Sequence, residues 1–209
     1  MSLSHHPADA VLADYAAGRM RPGFDLVVGA HLERCAHCRN RVGLFEAAAG
    51  DLLQDLPPAE LSDDALAHTL ARLERDPQRE APAPRAAPPR PLHQRLPLGR
   101  KLRLAPGVWI QPVDVPRRSG DRVYLLRVGA GLQGLHHGHH GAEFTTVLEG
   151  ALVDGEAVYG AGDFCETDVE VVHQPKAGPD GPCLCLIATE GRIRPLDLIG
   201  RAVRAIANV

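Results

Sequence analysis

The chain has 209 residues, of which 44% are apolar, and a formal net charge of −3 at pH 7. This length suits one or two domains, and the apolar content is sufficient for a core in each. Residues 1–75 carry seven arginines and no lysine against eleven acidic residues. Because affinity for DNA comes largely from lysine and arginine, this acidic segment is a poor candidate for nucleic-acid binding and suits a basic protein partner better.

No segment predicts export or membrane insertion. Residues 1–18 have neither a basic n-region nor an apolar h-region, and no apolar run approaches the roughly 18 residues that span a bilayer. The five cysteines include the close pair Cys35 and Cys38, which in a chain without an export signal favours metal binding over a disulfide framework. We therefore expect a soluble, cytoplasmic protein without a membrane segment.

Four helices are predicted in the first 75 residues, from helical apolar spacing and end signals. They cover residues 4–18, with Pro7 in the first turn and Gly18 as the cap, then 24–34, 39–56, and a last helix from Ser62 as N-cap, with Asp63 and Asp64 in its first turn, to about Arg75. The apolar positions of the second and third helices are Leu26, Val27, Ala30, Val42, Leu44, Phe45, Leu52 and Leu53.

The fourth helix carries a narrow apolar stripe made of Leu66, Leu70 and Leu73. Two interpretations of this stripe remain open from the sequence. It packs inside its own domain, or it is a face offered to a partner.

A proline-rich segment divides the chain into two compositionally different parts. Seven of the 18 prolines lie between Pro77 and Pro97, and such a segment has little to bury and acts as a semi-extended linker. From Gly99 onward, short β-forming segments alternate with Gly, Pro and Asp, which favours an all-β sandwich or barrel. The strands are predicted at Gly107–Val113, Val123–Val128, Phe144–Leu148, Ala151–Val153 and Cys183–Ala188. The predicted domains are therefore 1–75 (helical), 76–98 (linker) and 99–209 (β).

The helical part contains a set of metal-ligating residues, His31-x₃-Cys35-x₂-Cys38. His31 and Cys35 are one helical turn apart and share a face, so both can reach one ion together with Cys38. A closed tetrahedral zinc site needs a fourth ligand, for which His5 and His6 are candidates. The alternative is a pair of buried cysteines beside a core histidine, but the histidine one turn before the cysteines favours zinc.

The β part contains a second set, His137, His139 and Glu143, with a fourth ligand expected from a later strand. The three residues share odd parity, so on one pleated strand they face the same interior, whereas His136 and His140 point the other way. The alternative is a solvated histidine-rich loop that binds metal adventitiously. Imidazole and carboxylate ligands suit Zn, Mn, Fe or Ni alike.

These motifs resemble a known family. The pattern H-x₂₄-H-x₃-C-x₂-C resembles the zinc-binding anti-sigma domain, and His5-His6-Pro7 with Tyr15-Ala16-Ala17-Gly18 resembles its ChrR-type members. The resemblance implies a three-helix zinc core and a fourth helix that reaches over an extracytoplasmic-function sigma factor. It implies the zinc ligands His6, His31, Cys35 and Cys38, with His5 possible as the first.

The second part resembles a cupin. The segment Gly131-x₅-His137-x-His139-x₃-Glu143-x₆-Gly150 is similar to the first cupin motif, and Gly160-Ala161-Gly162-Asp163 followed by His173 is similar to the second. This implies a jelly-roll β-barrel whose metal ligands are His137, His139, Glu143 and His173, and the anti-sigma resemblance favours zinc. The predicted fold is thus two-domain α plus all-β, with a small zinc-binding helical domain followed by a cupin.

A few further residues allow both a structural and a functional interpretation. Cys183 and Cys185 share a strand face and are either a redox switch or, as their pattern favours, two buried small apolar residues. Cys165 and Trp109 are expected in the core. Tyr124 and Tyr159 either line the metal pocket or have only a packing role. The packing role is the favoured interpretation for each.

The resemblance implies a non-enzymatic anti-sigma factor that sequesters its sigma factor and releases it in response to singlet oxygen or an organic hydroperoxide. The sequence does not predict the oligomeric state. One rival hypothesis is a metal-dependent cupin oxygenase or isomerase with a regulatory zinc domain, which requires a polar, substrate-sized pocket beside the metal. Another is a metal-sensing DNA-binding regulator, but no helix supplies a basic recognition face.

Overall fold

The computed structural model of the protein describes residues 3–75, 95–116 and 121–196. Most of the predicted linker, 76–98, lies outside these ranges, so the boundaries 1–75, 76–98 and 99–209 stay a prediction. We call residues 3–75 the helical half and residues 95–196 the β half. No helix in the described part of the chain combines the length and apolar content needed to cross a membrane.

The helical half contains four helices, as expected. They are α1 (Asp9–Ala16), α2 (Pro22–Arg34), α3 (Ala36–Gln54) and α4 (Ala65–Arg75). None of the four predicted starts is the observed one: α2 and α3 begin before the predicted residues 24 and 39, whereas α1 and α4 begin later than predicted. The first helix begins at Asp9: residues 3–8 are not helical, Ala8 is extended, and the backbone N–H groups of Ser4 and His5 donate to Asp163 of the β half. The fourth begins at Ala65, so Asp63 and Asp64 precede the helix instead of lying in its first turn.

The β half is an antiparallel sandwich of twelve strands within the described residues. They are β1 (Leu102–Ala105), β2 (Val108–Pro112), β3 (Arg122–Val128), β4 (His137–Gly138), β5 (Glu143–Glu149), β6 (Ala151–Asp154), β7 (Ala157–Gly160), β8 (Phe164–Thr167), β9 (Val172–His173), β10 (Lys176–Ala177), β11 (Cys183–Thr189) and β12 (Arg194–Pro195). One sheet has the order β1-β2-β3-β11-β5-β8, and two smaller sheets have the orders β10-β6-β7 and β12-β4-β9. All five predicted strands are present, with ends shifted by a few residues at most.

The central strands β5 and β11 are buried on both faces. All seven residues of β11 and six of the seven in β5 are buried, which explains why they read as continuous apolar runs rather than as alternating patterns. One face lines the interior of the sandwich and includes Val147, Cys185 and Ile187. The opposite face packs against the helices.

Helix α2 covers this outer face of the sheet. The rings of Phe24 and Phe144 meet edge to face with centroids 4.9 Å apart, and the Thr146 hydroxyl donates a 2.8 Å hydrogen bond to the Val27 carbonyl. At the start of the helix, Arg21 forms a 2.7 Å ion pair with the buried Asp121. The two halves therefore share one apolar cluster that contains residues of α1, α2, α3 and the large sheet.

The apolar residues of α3 divide between buried and exposed. Val42 is buried and Phe45 is partly buried against the shared cluster. Leu44, Leu52 and Leu53 are 60%, 71% and 67% exposed. The expectation of apolar packing positions is therefore met near the start of α3 but not at its end.

The close approach of α2 to the sheet predicts opposite effects of two glycine substitutions. A Cβ atom at Gly23 would lie 2.4 Å from Val123 Cγ2, whereas one at Gly43 of α3 would meet nothing within 4 Å. We expect Gly23→Ala to lower the free energy of unfolding by about 1–3 kcal/mol through overpacking. Gly43→Ala should raise it by up to about 1 kcal/mol through helix propensity. Urea denaturation of both variants tests this, and equal effects would contradict the packing described.

Candidate metal centres

The first candidate site lies where the end of α2 meets the start of α3 and the segment that precedes α1. His31 lies in the last turn of α2, Cys35 caps the N-terminus of α3 by accepting the Cys38 N–H, and Cys38 lies in the first turn. His6 comes from the extended segment before α1. One ligand atom from each of these four residues lies within 4.8 Å of the others, and His6 Nδ1 is 3.3 Å and 3.4 Å from the sulfurs of Cys35 and Cys38.

Protonation and burial at this site fit a metal ion. The Nδ1–H of His31 donates to the Gly162 carbonyl at 2.7 Å, so Nε2 carries the lone pair, and this buried atom has no protein partner. Burial, aided by the neighbouring Cys35 thiol, raises the pKa of Cys38 to about 12. A cation at this position would accept the lone pair of His31 and stabilise both thiolates.

The structure separates the candidates for the first ligand. His6 faces the cluster, whereas His5 contacts Asp163 and packs against the ring of Tyr159 with centroids 4.4 Å apart. His37 is exposed and stacks at 5.2 Å on the ring of His6. The geometry brings His6, and not His5, together with the other three residues.

The second candidate site lies inside the sandwich and comprises His137, His139, Glu143 and His173, whose ligand atoms also lie within 4.8 Å of one another. The first three do not share one strand, as the parity argument assumed. His137 lies in β4 and Glu143 begins β5, while His139 is in the connection. In the connection, the backbone at Gly141 passes close to Glu190, whose side chain would lie 2.3 Å from a Cβ built on this glycine. His136 and His140 are exposed, in agreement with the expected outward direction.

The imidazoles are held in tautomers that turn their lone pairs inward. His137 Nδ1–H donates to the Leu135 carbonyl at 2.8 Å, and His173 Nδ1–H donates to Asp154 at 2.6 Å. When both rings are neutral, their Nε2 atoms are both acceptors and lie only 3.2 Å apart. Either a proton on His173 or a metal ion bound by both nitrogens removes the repulsion between the two lone pairs, so the donor set can hold a metal ion.

Burial dominates the electrostatics of this site. It lowers the pKa of His137 and His139 to about 4 each and raises the pKa of Glu143 to about 7. Burial is the largest influence on His173 and acts to lower its pKa, but the hydrogen bond to Asp154 together with the charges of Asp154 and Glu143 raises the pKa above the ordinary value. Glu143 Oε2 is buried without a hydrogen-bond partner, and a bound cation would supply one.

A cavity of about 310 Å³ opens beside the second site. His137, Glu143 and His173 lie at its polar end, and its walls are largely aliphatic, with Ile110, Leu126, Val128, Ile187 and Ile193 among the lining residues. This volume is at the lower end of the range for small-molecule pockets. The cavity is therefore substrate-sized but mainly apolar, whereas the enzyme hypothesis requires a polar pocket; Gln133, Thr145, Asp154 and Gln174 are among the polar residues that line it besides the ligands.

Of the remaining residues that allowed both a structural and a functional interpretation, some line the cavity and others pack elsewhere. Tyr124 lines the cavity, whereas Tyr159 packs against His5. Cys183 and Cys185 are buried thiols with sulfurs 3.5 Å apart, and they line the cavity with Cys165. Trp109 is only half-buried and lies under the Lys101 ammonium, 4.1 Å from the ring centroid.

Two aspartates next to the ligands were not singled out from the sequence. Asp154 orients His173, but in the sequence it precedes Gly155 and reads only as a turn residue. Asp163 lies in the glycine-rich motif before His173, yet its contacts are to the N-terminal segment. Nothing in the local sequence signals that long-range contact.

Comparison with known proteins gives one consistent result. Residues 101–191 match the family model described as the ChrR cupin-like domain. The anti-sigma-E factor ChrR of Cereibacter sphaeroides is 38% identical over 198 residues, which cover 93% of each chain. The crystal structure of Rhodobacter sphaeroides SigE in complex with the anti-sigma ChrR contains a chain that is also 38% identical, with a TM-score of 0.76 over 90% of this chain and 100% of that one.

The lowered pKa values of the imidazoles predict a pH dependence of stability in the metal-free protein. His139 is neutral in the folded state down to about pH 4 but protonates near its ordinary value of 6.5 when unfolded. The unfolded state therefore binds more protons between these values, and stability falls as the pH falls through this window. Glu143 acts in the opposite direction because its pKa is raised.

We expect His139→Gln to reduce the increase in the free energy of unfolding with pH by at most about 1.4 kcal/mol per pH unit. The matched control is His140→Gln, because His140 is the exposed neighbour. Urea unfolding of chelator-treated protein from pH 5 to pH 7 provides the measurement. An unchanged slope in His139→Gln would show that this imidazole is not buried in its neutral form.

Proposed function

The chain belongs to the ChrR family of anti-sigma factors, and from this premise we propose that it sequesters an extracytoplasmic-function sigma factor and so represses transcription. The observation that carries the proposal is the uncovered apolar face of α4. Leu66, Leu70 and Leu73 are 70%, 51% and 51% exposed. Apolar stripes at helical spacing that face solvent are typical of helices that bind in a partner's groove. The exposure of this stripe favours its role as a face for a partner over packing inside its own domain.

The neighbouring segment supports the same surface. Leu52 and Leu53 in the last turn of α3, and Leu56 and Leu61 in the connection to α4, are between 62% and 79% exposed. Residues 1–75 are also acidic, with eleven acidic residues against seven arginines. An apolar face on an acidic domain is complementary to the basic surfaces by which a sigma factor contacts DNA, so binding here would compete with DNA.

The two metal centres have different duties in this proposal. His6, His31, Cys35 and Cys38 form a four-ligand set with two thiolates, which suits a closed structural zinc ion that stabilises the helical half. His137, His139, Glu143 and His173 form a set without sulfur beside an open cavity. Zinc is the proposed metal there too, although Mn, Fe or Ni accept the same ligands, and a metal in that set supplies Lewis-acid or redox chemistry.

The signal reaches the protein at the second centre. The aliphatic cavity admits an apolar molecule up to the imidazoles and Glu143, which favours an organic hydroperoxide as the inducing oxidant and also allows singlet oxygen to reach the site. Glu143 begins β5, and the next residue, Phe144, packs against Phe24 of α2. A change in the position of Glu143 therefore acts on the helical half through a direct contact. The protein is proposed to work in the cytoplasm, where its sigma factor binds polymerase.

A metal-dependent oxygenase or isomerase is the second candidate function. The cavity beside the ligands favours it, and Glu143, with a pKa raised to about 7 by burial, has the proton affinity of a general acid or base. The aliphatic lining weighs against it. Oxygen uptake by the iron-loaded protein would support the enzyme, whereas its absence together with sigma binding supports the non-enzymatic regulator.

The sigma-binding proposal predicts that the α4 leucines are required for repression. We expect Leu66→Ala/Leu70→Ala to weaken binding of the cognate sigma factor at least about 10-fold, since each buried leucine side chain contributes a few kcal/mol at an interface. Val158→Ala/Val169→Ala is the control, because these two residues of the β half are also about half exposed. Binding and in vitro transcription provide the readouts. Failure of the intact, zinc-loaded protein to inhibit would refute the proposal.

The two-centre proposal predicts that metal loss separates two properties. Wild-type protein should contain about two zinc ions per chain, and Cys38→Ser and His139→Gln should each contain about one. Cys38→Ser should lose sigma inhibition. His139→Gln should keep inhibition but fail to release sigma when an organic hydroperoxide is added. If both variants lose the same property, the division of duties between the centres is wrong.

A further inference from the structure

The turn formed by residues 160–163, between β7 and β8, reaches from the β half into the first metal centre. The Gly162 carbonyl accepts the Nδ1–H of His31 at 2.7 Å, and both residues are buried. This bond fixes the tautomer of His31 and directs its Nε2 toward Cys35 and Cys38. One ligand of the helical centre is thus oriented by a backbone group of the β half.

The same turn holds the segment that carries a second ligand. Asp163 is 4% exposed, and its Oδ1 accepts the backbone N–H groups of Ser4 at 2.9 Å and His5 at 3.1 Å. The His5 carbonyl in turn accepts the Phe164 N–H at 3.1 Å. His6 follows directly, in a stretch with no helical hydrogen bonds of its own. Its position therefore depends on Asp163.

The turn is also fastened to the strand that carries Glu143. Gly162 N–H donates to the Val147 carbonyl at 2.7 Å, and Val147 N–H donates to the Asp163 carbonyl at 3.0 Å. Gly162 has φ of +102°, and a Cβ there would lie 2.7 Å from Leu3. This backbone conformation favours glycine, because L side chains rarely adopt it. The turn thus links β5 to the ligands of the helical half.

We propose that residues 160–163 are an outer support of the thiolate metal centre, with Asp163 as the positioning residue that presets His6 while Gly162 presets His31. This inference rests on the metal proposed for that centre. The support makes metal retention in the helical half depend on the conformation of the β half. By linkage, loss of the metal from the helical half weakens the hold on the turn by the same free energy.

Cobalt provides a test on the full chain. Of the two candidate centres in the described residues, the first alone has sulfur ligands, so the cobalt–thiolate absorption band reports on that centre, whereas the visible d–d bands arise from cobalt at both centres. We expect the thiolate band of Asp163→Ala to be shifted, and to be lost to a chelator about 10- to 100-fold faster than in the wild type, as is typical when a partner of a metal ligand is removed. The rate of cobalt loss from Asp163→Asn should lie between those of the wild type and Asp163→Ala, since the amide oxygen of asparagine still accepts the N–H groups of Ser4 and His5.

The matched control is Asp168→Ala. Asp168 is exposed and accepts the Glu170 N–H in the turn after β8, so this variant removes an aspartate cap without a contact to the helical half. Far-ultraviolet circular dichroism checks that each variant is folded. If Asp163→Ala does not fold, the comparison of Asp163→Asn with Asp168→Ala decides.

The outcomes distinguish absence of the metal centre from absence of its support by residues 160–163. Absence of the thiolate band in wild-type protein would refute the metal centre itself. A normal band in the wild type, with cobalt lost from the folded Asp163 variants at the wild-type rate, would overturn only the role of residues 160–163. Faster loss from the Asp163 variants than from the Asp168 control supports it.

Discussion

The packing of α2 against the outer face of the large sheet is the contact on which the rest of the structure depends. Because β5 and β11 are covered on both sides, neither the sheet nor the helix presents this apolar surface to water. Each half covers apolar surface of the other, and burial of apolar area is the dominant favourable term in folding. The arrangement also sets the distance between the two metal centres, since His31 lies in the last turn of α2 and Glu143 begins β5.

The two centres differ in the chemistry of their surroundings as much as in their ligands. The thiolate centre lies between helix ends and a turn of the sandwich; three of its ligands are buried and His6 is exposed. Its four ligands complete a tetrahedral set. The imidazole–carboxylate centre faces an aliphatic cavity, in which a buried carboxyl has a pKa of about 7 and two imidazoles stay neutral to about pH 4. Strand β5 lies between them, with alternate side chains directed to the cavity and to α2.

Local spacing was sufficient to predict three members of each candidate set, since His31, Cys35 and Cys38 are close in sequence and so are His137, His139 and Glu143. The distant members, His6 and His173, came from the family resemblance. The four helices and five principal strands followed from periodicity. What could not be predicted depends on partners distant in the chain. Asp163 captures backbone donors that would otherwise begin α1, and Asp154 orients His173 across the sandwich. The exposed leucines of α3 and α4 satisfy the same periodicity as core leucines, so the sequence could not distinguish a core from an interface.

The contact between Gly23 and Val123 has a consequence for how this family can vary. A methyl group on residue 23 would occupy the space that one γ-methyl group of residue 123 now fills. The two positions, one in each half, thus share a single small volume. Substitution of either alone creates a clash or a void, whereas a reciprocal exchange conserves the volume. Homologues that carry alanine at the position of Gly23 should therefore carry a smaller residue opposite it, and chimaeras that join halves from different relatives should fail where this pair is mismatched.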